Sequence, residues 1–484
     1  MSGDYSRKRF NPEKHYQGVL RQQGRVDLDA DWNEYVDLQD RRWRAETIDV
    51  VGRSGVPDET PDGFKIAVSG GELTVGQGRM YVDGYVAENH GTAPAFEPTL
   101  EEGYGTAALP VKNQPYGGPV TVPAQVRSLV YLDVWRREVT HLQAPDLIEP
   151  AVNVDSTTRY QTAWQVRVLA NIPPDITCDT PLSDIPGWPT GNRSSSARLT
   201  TTTVAVTTEP DPCLVPPTGG YRGLENHLYR VEVHSATTTT AKVKWSRENA
   251  HVAISLLEIL AGRTTVRVES LGRDDVLRIK TGDWVELTSD QREFAGLPGE
   301  MRKVTVDDAN QTLTFSPALP AADFPQGVVD AAKHVRVIRW DQSGIVRKPD
   351  GSQLINLDLT SDGLIELSAA NPSFVLELGV QATLTVLAGG TAHSGDYWCF
   401  AARTADADIE RLNQAPPLGI HHHHAHLAII EPNGEIHDCR TVFPPLTELT
   451  PGCCTVVVRP GEDIQAAIDS LPDEGGCVCL KVGD

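Results

Sequence analysis

The chain has 484 residues and a formal charge of −22, from 43 basic and 65 acidic side chains. That length holds two to four domains with their own cores, and the absence of a long basic stretch argues against nucleic acid as a partner. No run of about 18 apolar residues occurs, so no transmembrane segment is expected, and the opening MSGDYSRKRFNPEKHY lacks the apolar core of a secretory signal. A chain made and assembled in the cytoplasm is the expectation.

Residues 1–55 read as an arm followed by an amphipathic helix. RKRFNPEKHYQGVLRQQG has only scattered apolar anchors, the pattern of an extended segment laid on another surface. In DLDADWNEYVDLQDRRWRAETIDVV, Leu28, Trp32, Tyr35, Val36 and Trp43 recur at near-helical spacing. Asp27 or Asp29 is placed to cap the start, and Gly52 to stop the helix. Phe10, Tyr16, Trp32, Tyr35 and Trp43 are the residues expected to dock onto a neighbouring subunit, although packing back on the chain's own body is equally compatible. DLDADWNE is not a calcium loop: counted from Asp27, the sixth and twelfth places hold Trp32 and Leu38, where an EF-hand needs Gly and Glu.

From about residue 60 the pattern is β, so the fold class is mainly β and multidomain. Residues 56–249 form a β-rich body that continues over 341–447. Between them, residues 250–340 carry similar short strands (TTVRVES, DWVEL, EMRKVTV, QTLTF) joined by turns, a small inserted barrel or sandwich. In residues 448–484 a strand, the short helix of PGEDIQAAIDSLP and a second strand resemble the capped start of a parallel β-helix, truncated after at most one rung.

Trp135, Trp164, Trp245, Trp284 and Trp398 lie within β runs, where core packing is a better expectation than a carbohydrate platform. The eight cysteines, Cys178, Cys213, Cys399, Cys439, Cys453, Cys454, Cys477 and Cys479, form no CxxC pair and fit no zinc-finger spacing. Buried, reduced thiols are expected. No P-loop, dinucleotide fingerprint, HExxH or GxSxG occurs, so neither a catalytic constellation nor a cofactor is expected.

HHHHAHLAII, residues 421–430, is open to three readings: a metal site, a pH sensor, or a strand rich in imidazole. As a strand, it places His421, His423, Ala425, Leu427 and Ile429 on one face and His422, His424, His426, Ala428 and Ile430 on the other. Its apolar end is expected to be buried on both sides, with the histidine end emerging at a loop or interface. A structural strand is preferred. If a metal binds, His422, His424 and His426 are the candidates, and three H-x-H strands about a threefold axis offer six nitrogens to one octahedral ion.

Several long phrases carry a resemblance: SGDYSRKRFNPEKHYQGVLRQQGRVDLDADWNE, YLDVWRREVT, TAWQVRVLA, PCLVPPTGGYRGLENHLYRVEVH, KVKWSRENA, GDWVEL and SGDYWCFAARTA. Together they resemble an uncharacterised bacterial family. Its members often end in a parallel β-helix and occur in gene clusters for phage-tail-like contractile injection systems. The opening is also similar to the start of phage tail and baseplate proteins. The resemblance implies a structural subunit at the baseplate periphery, or a fibre, spike or cage component, partnered by other subunits. It further implies a homotrimer or sixfold arrangement, within an injection particle that is released or anchored at the envelope. A polysaccharide-degrading or glycan-binding tail spike or adhesin is the alternative.

Overall fold

The fold is taken from a computed structural model that describes residues 3–69, 72–92, 107–115, 120, 122–123, 125–203, 220–446, 455–459, 461–471 and 476–480. Cys213, Cys453 and Cys454 fall outside these residues. The chain is mainly β and multidomain, as its composition of short branched runs dictates.

The first unit is assembled from both ends of the body. Ser128–Val139 pairs along its whole length with Arg159–Ala170 on one side and with His422–Ile430 on the other. Ile436–Asp438 completes this four-stranded sheet. A second four-stranded sheet (Ser54–Pro57, Gly78–Val82, Tyr85–Asn89 and Val442–Phe443) faces it. Val56, Phe64, Met80, Val82, Leu132, Val134, Trp164, Leu427 and Ile430 fill the space between.

The second unit is a sandwich of two five-stranded sheets, with Ala197–Thr203 and Val380–Val386 in one and His227–Ala236, Thr240–Ser246 and Tyr397–Arg403 in the other. Tyr229, Val231, Trp245, Phe374, Trp398 and Phe400 form its core. Within SATTTTAKVKW the threonines make the turn of a hairpin rather than a strand, because Thr237 Oγ1 accepts from the backbone N–H groups of Thr239 and Thr240.

Residues 253–340 form the third unit, an eight-stranded, nearly closed barrel with its own core of Leu256, Val266, Val268, Val285, Leu287, Leu313 and Phe324. Its first and last strands pair, with Ala253 opposite Ile338, so both ends leave together. The five strand-borne tryptophans, between 1% and 6% exposed, are core residues.

Two expectations need correction. The helix, Asp29–Val51, begins without a side-chain cap at Leu28. Asp29 lies in its first turn and accepts instead from the backbone N–H and the hydroxyl of Ser6. The thiols are not all reduced: Cys178 and Cys439 form a disulfide with Cα atoms 5.1 Å apart, and Cys479 is also disulfide-bonded. The spacing had no CxxC signal because the paired cysteines are 261 residues apart. Val456–Val458 and Val478–Leu480 form a parallel pair around the helix Ile464–Asp469, and a β-helix is not shown among the described residues.

Candidate functional site

A cleft of about 1850 Å³ lies where the three units meet, roofed by residues 7–14 and one side of the helix. The arm packs back on its own body. The buried Gly3 donates its N–H to Glu138 and accepts from Asn249 Nδ2, and Arg403 donates to the Ser6 carbonyl. Phe10 is half-buried along the cleft. Residues 12–29 are different, being exposed throughout except at Val19, with Tyr16 55%, Leu20 91% and Val26 85% accessible.

The helix buries only Ala30 and Leu38. It is held chiefly by polar contacts: Arg136 reaches Asp40 at 2.9 Å, and Arg44 stacks over the Tyr85 ring at 4.0 Å. The aromatics therefore stay outside, with Trp32 62%, Tyr35 39% and Trp43 65% exposed. Trp32 and Trp43 are separated by three turns and project within about 20° of each other. Of the five residues expected to dock, four are uncovered and one, Phe10, faces the chain's own cleft.

The cleft floor carries a buried charge network. Lys244 Nζ lies 3.1 Å from Glu232 and pairs also with Glu286, while Arg230 holds the second Glu232 oxygen at 2.6 Å. Trp340 Nε1 and the Gly299 N–H donate to Glu286. Burial opposes ionisation of Glu232, but Lys244 and Arg230 outweigh it and hold the carboxyl below its usual range. Every carboxylate of this floor already has cationic and hydrogen-bond partners, which suits a neutralised junction better than proton transfer.

At the rim, His422–Ile430 is half-buried over its histidines and buried from Leu427 onward, as expected. A register shift between His426 and Ala428 breaks the strict alternation. Leu427 and Ile430 therefore share the inner core, whereas Ile429 packs on the opposite face with Leu129, Ile176 and Trp188. His423 Nδ1 meets Asp83 Oδ2 at 3.0 Å on one side of the sheet. On the other, Asp133 is only 1% exposed and its Oδ1 faces His422 Nδ1 at 2.8 Å and His424 Nε2 at 3.4 Å. Arg167 holds Asp133 Oδ2 at 2.9 Å. Burial opposes ionisation of Asp133, yet its histidine and arginine neighbours keep the carboxyl below the usual range. His426 is not part of this trio. His422 and His424 both face Asp133 on their own sheet.

Asp133 was missed by sequence reasoning. The available signal was an acid inside the apolar run SLVYLDVW, at a position that alternation puts beside Tyr131 and Trp135. Glu232, Lys244 and Glu286 carry the same mark in VEVH, KVKW and WVEL.

Fold and site together define a multi-unit, mainly β protein built around a charge-lined cleft, with an uncovered aromatic helix at its edge. The chain belongs to DUF6519, a family of unknown function whose family model matches residues 1–183 and 192–456. No curated protein and no solved structure matches it. No helix among the described residues is long and apolar enough to cross a membrane.

Proposed function

We propose that the chain is a structural subunit of a phage-tail-like contractile injection particle, at the baseplate periphery or as a fibre, spike or cage element. The observation that carries this reading is the uncovered apolar strip of Tyr16, Leu20, Val26, Leu28, Trp32, Tyr35 and Trp43. Exposed aromatic side chains on a helix are what a neighbouring subunit covers, and aromatic anchors dominate such interfaces. Other subunits of the particle are the partners, in a trimeric or sixfold arrangement.

Deleting residues 1–50 is a poor test, because residues 7–14 roof the chain's own cleft. Replacing Trp32 and Trp43 by Ser removes the anchors alone. The expected result is a folded chain with unchanged circular dichroism that no longer sediments with the particle in its native host. Full incorporation of this double variant rejects the reading.

The cleft favours a second reading, glycan binding or cleavage, through Tyr160, Tyr397 and its charged walls. Release of reducing ends from acidic polysaccharide by the isolated chain would establish it over assembly.

A further inference from the structure

We propose that Asp133, His422 and His424 form a binding site for one divalent transition-metal ion of the zinc class. The three donor atoms lie within 4.8 Å of one another. Ligand bonds of about 2.0–2.1 Å in tetrahedral or octahedral geometry put neighbouring donors about 2.9–3.4 Å apart. The 2.8 Å and 3.4 Å separations from Asp133 Oδ1 to the two imidazoles match those edges.

Two further observations point to a ligand. His424 has a side chain only 7% exposed, and its buried Nε2 has no hydrogen-bond partner. A buried ring nitrogen that faces a carboxylate oxygen without a hydrogen bond to it is placed to offer a lone pair to a cation between the two. Arg167 Nε lies 2.9 Å from the second oxygen of Asp133, an ion pair that leaves Oδ1 facing the two histidines. The ring of Trp188, 5.2 Å from His424 and edge-on, holds that imidazole from behind. Two imidazoles and one carboxylate leave coordination positions open, and of the three ligands His422 also lines the cleft.

Binding requires His422 to present Nδ1 as a lone pair, so the proton now between Nδ1 and Asp133 moves to Nε2 or to solvent. Among the described residues, the other His/Asp/Glu group of suitable spacing, Asp4, Glu248 and His251, has an exposed carboxylate, and His251 Nδ1 is already bonded to the Glu248 carbonyl.

The test uses the full chain, purified without an affinity histidine tag, stripped with chelator and titrated with Zn²⁺ alone by calorimetry. One ion per chain is expected, with His422→Ala and His424→Ala each weakening binding at least about tenfold. His426→Ala should leave affinity unchanged. Absence of saturable binding overturns the proposal, as does a site that survives both variants or disappears with His426→Ala. If His424→Ala fails to fold, the half-exposed His422→Ala decides on its own.

Discussion

At the scale of single residues, His234 is one source of acid sensitivity. Burial, then the neighbouring Lys244, lowers its imidazole from 6.5 to about 4 against the opposing pull of Glu286, Glu232 and Asp362. The native state therefore refuses a proton that the unfolded chain accepts below 6.5. Stability should fall as pH drops from 6.5 toward 4, by up to about 3 kcal/mol from this group. Denaturant titrations at several pH values should show a flatter profile in His234→Gln. Lys244 makes the complementary case. Lys244→Met strips Glu232 and Glu286 of their shared cation inside the fold, and a loss of about 3–5 kcal/mol is expected in equilibrium unfolding. A loss below about 1 kcal/mol would mean that water already reaches these carboxylates.

At the scale of elements, hydrophobic alternation made most of the architecture legible. The inserted barrel, the strand character of HHHHAHLAII and the burial of five tryptophans all follow from local pattern. What stayed hidden depends on partners distant in sequence. The bulge before Ala428 moves Ile429 to the opposite face, and nothing in a period of two announces it. The helix start misled because Asp29 is claimed by Ser6, a tertiary contact, and Asp133 matters only beside histidines 289 residues later. The disulfide belongs to the same class. It pins the loop over 171–192, which carries Ile172, Ile176, Ile185 and Trp188, onto the outer face of the sheet holding the histidine strand. Cys178→Ser should lower stability by about 2–4 kcal/mol under oxidising conditions and change nothing once reductant is present, as a thermal melt of both proteins would show.

At the scale of the whole molecule, the units differ in how they depend on the chain. The barrel is built from one continuous stretch with paired ends, so the isolated segment 251–341 should unfold in a single cooperative denaturant transition. A non-cooperative profile would mean that the Trp284 and Trp340 face, packed on Leu364 and Ala250, is indispensable to it. The first unit has no such autonomy, because its central strand, Ser128–Val139, pairs early with Arg159–Ala170 but receives its second neighbour only when His422–Ile430 arrives. At a ribosomal pace of about 5–20 residues per second, that delay is roughly 15–60 s, during which the barrel is already complete. Throughout the wait one flank of a long apolar ribbon stands bare to every other nascent chain. Asp133 and Arg167, paired in the middle of that ribbon, put charge where a stray strand would otherwise dock, so the same carboxylate that later meets the histidines also guards the vacancy they will fill.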